Sequence, residues 1–103
     1  MSHLFVVVRT HGPAWDRTKP LDEQANWRGH AEFMDALEAE GVVVLAGPLE
    51  GTDDAMMVMR AAAEDEIGTR LAGDPWGQDM LRTSQICRWT LRIGRNRLEP
   101  GSI

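Results

Sequence analysis

The stretch Trp27-Arg-Gly-His30-Ala-Glu-Phe-Met-Asp-Ala-Leu-Glu-Ala-Glu-Gly41-Val-Val-Val-Leu-Ala-Gly47-Pro48 sets a helix, a turn, a strand and a second turn end to end without a spare residue. Trp27, Phe33, Met34 and Leu37 fall at three- and four-residue steps, the apolar stripe of an amphipathic helix. His30 lies three residues after Trp27 and four before Met34, so a titratable ring shares the inward stripe. Gly41 is placed to end the helix as the residue after its cap. Val42 to Ala46 is continuously apolar, a buried strand that Gly47-Pro48 breaks.

Working towards the N-terminus, the helical pattern begins at about Asp22, with Asp22 and Glu23 in the first turn, where negative charge suits the helix dipole. Gly29 inside this helix costs about 1 kcal/mol relative to alanine. Either something approaches the backbone closely beside His30, or the glycine serves plain packing. Residues 11–21, with Gly12, Pro13, Trp15 and Pro20, form a loop. It is either a surface loop pinned by one aromatic or a lid over a pocket. Leu4 to Val8 before it is a β-branched and aromatic run, a first strand.

Working towards the C-terminus, Ala55 to Met59 forms a third strand, the hairpin partner of the second, and its methionines serve as flexible packing. Glu64-Asp-Glu66 opens a second helix whose apolar residues Ala63, Ile67 and Leu71 repeat every four, and Gly73 stops it. Asp74-Pro75 is the signature of a short helix, with Asp74 as its cap and Pro75 in its first position. Cys87, Trp89, Leu91 and Ile93 alternate with Arg88, Thr90 and Arg92, a last strand with one apolar face on which Cys87 reads as inert core. Residues 1–94 thus make one domain, and residues 95–103 a loosely held tail.

The order β-α-β-β-α-(short helix)-β predicts an α+β, ferredoxin-like βαββαβ fold, with a four-stranded antiparallel sheet carrying both main helices on one face. The first three strands are apolar on both faces, whereas a sheet with one wet face should alternate. The face away from the helices therefore needs a cover, and a second copy of the same sheet, as in a dimeric α+β barrel, is the economical one. A homodimer is expected.

At 103 residues, with 16 acidic against 11 basic side chains, the chain has no basic footprint for nucleic acid. No apolar run reaches the roughly 18 residues of a membrane span, and Leu4 to Val8 is too short for a signal-peptide core. The single cysteine excludes an internal disulfide and suits a reducing cytoplasm. His3, His11 and His30 have no metal-ligand spacing, and Gly47-Pro-Leu-Glu-Gly51 lacks the Lys-Ser/Thr of a phosphate loop, so neither metal nor cofactor is expected. A small-molecule partner remains. An imidazole titrates at about 6.5 and suits proton transfer at neutral pH. From the pattern alone His30 is either such a base or a buried ring satisfied by a backbone carbonyl.

The segment from His30 to Gly47-Pro48, followed by Gly73-Asp74-Pro75-Trp76 and a Trp-containing last strand, resembles the YCII-related (YciI-like) family over roughly residues 4–93. The resemblance implies a ferredoxin-like dimeric α+β barrel with a His-Asp pair in a pocket, here His30 as the base and Asp74 as its orienter. Gly47 and Pro48 would form pocket wall, Trp76, Trp27 and Trp15 flat apolar walls, and Arg28 or Arg9 would hold an anionic group, with a purely structural role as the alternative for each. The sequence departs from the family pattern in a longer, Trp-richer segment at residues 10–27 and in the offset of Arg28 from His30. The function so implied is proton transfer on a small apolar or aromatic organic acid, by an isomerase or a lyase of dehalogenase type. The alternatives are a non-catalytic small-molecule-binding dimer and, third, a structural interaction module.

Overall fold

A computed structural model describes residues 2–98. The elements run β1 (His3–His11), a single 3-10 turn (Leu21–Glu23), α1 (Trp27–Ala39), β2 (Val43–Pro48), β3 (Asp54–Ala61), α2 (Glu64–Leu71), β4 (Leu81–Trp89) and α3 (Arg95–Leu98). The strands form one antiparallel sheet in the order β2-β3-β1-β4, so the α+β order and the four-stranded sheet expected from the sequence are what the chain adopts. Of the expected tail, residues 95–98 form α3, and residues 99–103 lie outside the described residues.

Both main helices pack on the face that carries Phe5 and Val7 of β1 and Met57 and Met59 of β3. Leu37 of α1 and Ile67 and Leu71 of α2 complete that core. The α1 terminus is a Schellman motif: the Val42 N–H donates to Leu37 O (2.9 Å), the Gly41 N–H to Glu38 O (2.9 Å), and Gly41 sits at φ +78°. The chain can therefore reverse directly from α1 into β2. The opposite face of the sheet carries Val6, Val8, Leu45, Met56, Cys87 and Trp89, with Leu45 58% and Trp89 42% exposed.

Several local expectations are corrected. The helix starts at Trp27 rather than near Asp22, because Asn26 is left-handed (φ 59°) and separates it from the 3-10 turn that holds Asp22 and Glu23. A Cβ on Gly29 would lie 2.7 Å from the Asn26 side-chain oxygen, so the glycine accommodates the folded-over Asn26 side chain. The second strand runs through Gly47 and Pro48, since β2 is an edge strand and an edge tolerates a proline. The last strand ends at Trp89, the partner of Leu4, because β1 offers almost no residue beyond it; Ile93 is 93% exposed. Pairing of Cys87 with Val6 puts that thiol on the outer face, exposed, and not in the core. No helix follows Asp74: the segment to Met80 is a series of turns.

Candidate active site

Alternation in β1 carries the core face past Phe5 and Val7 to Arg9 and His11. Arg9 is 1% exposed, and a guanidinium held that deeply requires an anionic partner. Asp74 supplies it, delivered by the turn that follows α2, with its N–H on Leu71 O (3.0 Å). Asp74 Oδ2 accepts from Arg9 Nη1 at 2.8 Å, while Arg9 Nη2 donates to Leu81 O at 3.0 Å.

The same carboxylate receives His30. Nδ1 lies 2.8 Å from Oδ2 and 3.1 Å from Oδ1, and Oδ1 also accepts the Trp76 N–H at 2.9 Å. Burial alone would raise the Asp74 pKa, but the hydrogen bonds from His30, Arg9 and the Trp76 backbone outweigh it and hold the carboxyl below the usual aspartate value. An ionised carboxylate only accepts, so His30 Nδ1 carries a hydrogen, and the neutral ring keeps its lone pair on Nε2. Trp76 lies flat against the ring (centroids 4.0 Å apart, planes within 9°) and is itself fixed by Nε1 donating to Ala25 O at 2.7 Å. His30 is thus held at Nδ1 and on one face.

Beside this cluster opens a cavity of about 310 Å³. His30, Arg9 and His11 reach it from α1 and β1, Gly47 and Pro48 from β2, Ala55 and Met57 from β3, and Trp27 and Met34 from the apolar stripe of α1. Its walls are mainly aliphatic and aromatic. Trp15 and Leu21 of the 11–21 loop also line it. The buried Gln24 side chain fastens that loop: Nε2 donates to Asp16 O (2.7 Å) and Lys19 O (2.8 Å), and Oε1 accepts the Asp16 N–H (3.0 Å).

Of the residues singled out in the sequence, His30 and Asp74 meet, and Gly47 and Pro48 line the cavity. Asp74 caps a turn instead of a helix. Trp76 stands behind His30 instead of on the cavity wall, with its ring committed to His30, Trp15 and Trp27. Arg28 is exposed and off the cavity, because a residue two positions before His30 projects from a different side of the helix. Arg9 holds an anion, but that anion is Asp74. Gln24 carries no sequence signal, and the deep position of Arg9 is hidden because Leu4 to Val8 is apolar on both faces and the apparent strand stops before it. Among the described residues no group of three or more His, Cys, Asp or Glu side chains is arranged to hold a metal ion, and no helix is long and apolar enough to cross a membrane.

No family model matches the sequence, and no curated protein matches it. A solved structure does share the fold: 5-chloro-2-hydroxyhydroquinone dehydrochlorinase (TftG) from Burkholderia phenoliruptrix AC1100, in complex with 2,5-dihydroxybenzoquinone. The similarity has a TM-score of 0.56 and 18% identity, over 86% of this chain and 93% of that one. At that identity the likeness concerns the fold.

Proposed function

We propose that the protein is an enzyme of the YCII-related group, in which His30 removes a proton from a small aromatic or quinoid organic acid. The observation that carries this reading is the buried 2.8 Å contact between His30 Nδ1 and Asp74, at the edge of an apolar cavity. With Nδ1 committed to the carboxylate, Nε2 is the basic atom left for a ligand. Arg9 and Asp74 cancel before the reaction. When His30 takes a hydroxyl proton, the cluster becomes +1 as the substrate becomes −1, so the charges that develop attract each other in a site of low dielectric. The substrate anion then delocalises its electron pair into the ring, which permits tautomerisation or loss of a leaving group such as chloride. The aromatic and aliphatic walls suit a flat ring, and the cavity volume lies at the small end for ligand sites. That a protein of the same fold acts on a chlorinated hydroquinone, and was obtained with a dihydroxybenzoquinone, supports this substrate class.

The test is chloride release from 5-chloro-2-hydroxyhydroquinone, together with binding of 2,5-dihydroxybenzoquinone. Turnover by the native chain that falls by about 100-fold or more in His30→Gln supports the base. Turnover that survives His30→Gln refutes it. Binding of the quinone with no chemical change over hours would instead mark a non-catalytic binding protein.

We further propose a homodimer formed through the outer face of the sheet, where the exposed Leu45 and Trp89 share one apolar face with the half-buried Val6, Val8 and Met56. Light scattering at micromolar concentration should give twice the monomer mass, and Trp89→Lys should return the monomer. A native monomer refutes the interface. Cys87, exposed on that face and unpaired, fits a cytoplasmic setting.

A further inference from the structure

The cavity holds a second imidazole besides that of His30. His11 is the next residue on the same face of β1 after Arg9, and it lines the same cavity as His30. Its surroundings use the same residue types as those of His30, in a looser and more exposed form. His30 has a carboxylate at Nδ1 and Trp76 stacked on its ring. His11 has the Asp53 carboxylate 3.7 Å from Nδ1 and Trp15 stacked on its ring, centroids 3.7 Å apart and planes within 6°. The two tryptophans touch edge to face at 5.5 Å, so the two His-Asp-Trp units form one continuous aromatic assembly.

His11 and Asp53 are held together by more than their side chains. The His11 N–H donates to Asp53 O at 2.9 Å, tying the end of β1 to the hairpin that leads into β3. Arg17 grips both Asp53 oxygens, at 3.0 and 2.9 Å, and keeps that carboxyl below its usual range and ionised. Gly12, next in the chain, approaches the 79–80 turn so closely that a Cβ would lie 2.2 Å from Asp79 O. That contact fixes the bend that folds Trp15 back over His11. Asp53 faces Nδ1 from beyond hydrogen-bond distance, so among the described residues neither ring nitrogen of His11 is engaged in a hydrogen bond and the ring is open to a ligand in the cavity. Burial lowers the pKa of His11 while Asp53 and Asp54 oppose it and Arg17 reinforces it, so its imidazolium is a stronger acid than a free one.

We infer that His11 is a second catalytic residue, the acid that returns a proton to a ring carbon of the substrate while His30 holds the one taken from its hydroxyl. The inference rests on His30 acting as the base. In the step, the hydroxyl O–H bond breaks and its proton goes to His30 Nε2. The oxygen's electron pair becomes a C=O π bond, and a ring C=C pair moves to the carbon facing His11. That carbon takes the proton from the His11 imidazolium to form a new C–H bond. One proton has been gained and one lost by the substrate, so the step is a tautomerisation, and solvent exchange resets the two imidazoles. The substrate class narrows accordingly to rings with an enolisable hydroxyl and a protonatable C–H carbon at separate positions.

The probe is 2-hydroxyhydroquinone kept under nitrogen in D2O, whose phenolic hydroxyls are un-ionised in neutral water, with exchange of its ring C–H hydrogens followed by proton NMR. Binding is followed by tryptophan fluorescence. Native protein should accelerate exchange, and His11→Gln, which keeps a polar group but cannot titrate, should slow it by about 100-fold or more while binding stays within about threefold. Imidazole added to His11→Ala should restore part of the rate, which a merely structural residue would not show. Asp53→Asn, at an exposed position that does not threaten the fold, should slow exchange by about tenfold. Exchange lost in His30→Gln but kept in His11→Gln overturns the role of His11 and leaves that of His30 standing. Binding without accelerated exchange overturns His11 as an acid, and absence of both binding and exchange overturns the two roles together.

Discussion

Replacing Asp74 by asparagine removes one charge and turns one carboxylate oxygen into an NH2 group, at a site where both oxygens are committed. Oδ2 serves Arg9 and His30, and Oδ1 serves Trp76 and, at 3.1 Å, His30 again. Whichever way the amide is turned, its NH2 faces a donor. Arg9, 1% exposed and with a buried Nε that has no partner among the described residues, would in either orientation lose the anionic charge opposite it and keep neutral acceptors at most. Breaking a buried ion pair on one side costs about 3–5 kcal/mol, a large share of the roughly 5–15 kcal/mol that holds a domain together. At roughly 4–8 °C per kcal/mol, Tm falls by about 12–40 °C.

The loss should carry a pH signature. The folded-state pKa of Asp74 lies below its ordinary value of 3.8, so between the two the unfolded chain binds more protons and stability rises with pH. The contribution is complete above the ordinary value and fades as pH falls through the depressed one. Urea denaturation followed by tryptophan fluorescence should therefore show a gap between native and Asp74→Asn that is full at pH 7 and narrows below about pH 4. A gap under about 1 kcal/mol at pH 7, or one that does not change down to about pH 3, refutes the account. The double variant Arg9→Met/Asp74→Leu should recover part of the loss, because it removes the stranded charge as well.

Three further substitutions separate backbone from site. Gly12→Ala should destabilise the chain by about 2–3 kcal/mol in urea, because its Cβ meets backbone at Asp79 and no side chain can yield; an unchanged midpoint would exclude the close approach. Gly41→Ala meets open space, so only its φ of +78° is penalised, and a loss of about 1 kcal/mol with no change in ligand binding is expected. Trp15→Ala should weaken 2,5-dihydroxybenzoquinone binding about tenfold by removing a stacking wall, and unaltered affinity would place the ligand elsewhere.

How far the sequence disclosed this arrangement varies with the kind of signal each residue carries. His30 lies on a long, strongly periodic helix, and its inward orientation follows from spacing to Trp27 and Met34. The contact of Asp74 with His30 spans 44 residues, so only resemblance pointed to it, and local chemistry pointed to a helix cap. Arg9 and His11 were in principle readable by counting in twos from Phe5 and Val7, but the end of the apolar run at Val8 stops the apparent strand before them. The strand continues because Arg9 is neutralised by Asp74, a partner from a remote turn. Arg28 shows the converse: charge type suggested ligand binding, and two steps around a helix point it elsewhere. Trp89 and Cys87 were correctly placed in the last strand, but which face they share with Val6 depends on register, which local sequence does not specify.

The Asp74 node also bears on the order in which the molecule assembles. Its contacts to Arg9 and His30 close loops of 65 and 44 residues, between a central strand, a helix and a turn that do not neighbour one another along the chain. One carboxylate can engage both partners only when β1, α1 and the 74–80 turn are already docked, so most of the packing around it must be in place first. The site is then a late event in folding and an early one in unfolding. Substitutions at Asp74 would hasten escape from the native state while leaving the rate of reaching it nearly untouched. Occupation of the cavity would slow that escape, giving the protein a longer lifetime when it is at work than when it is idle.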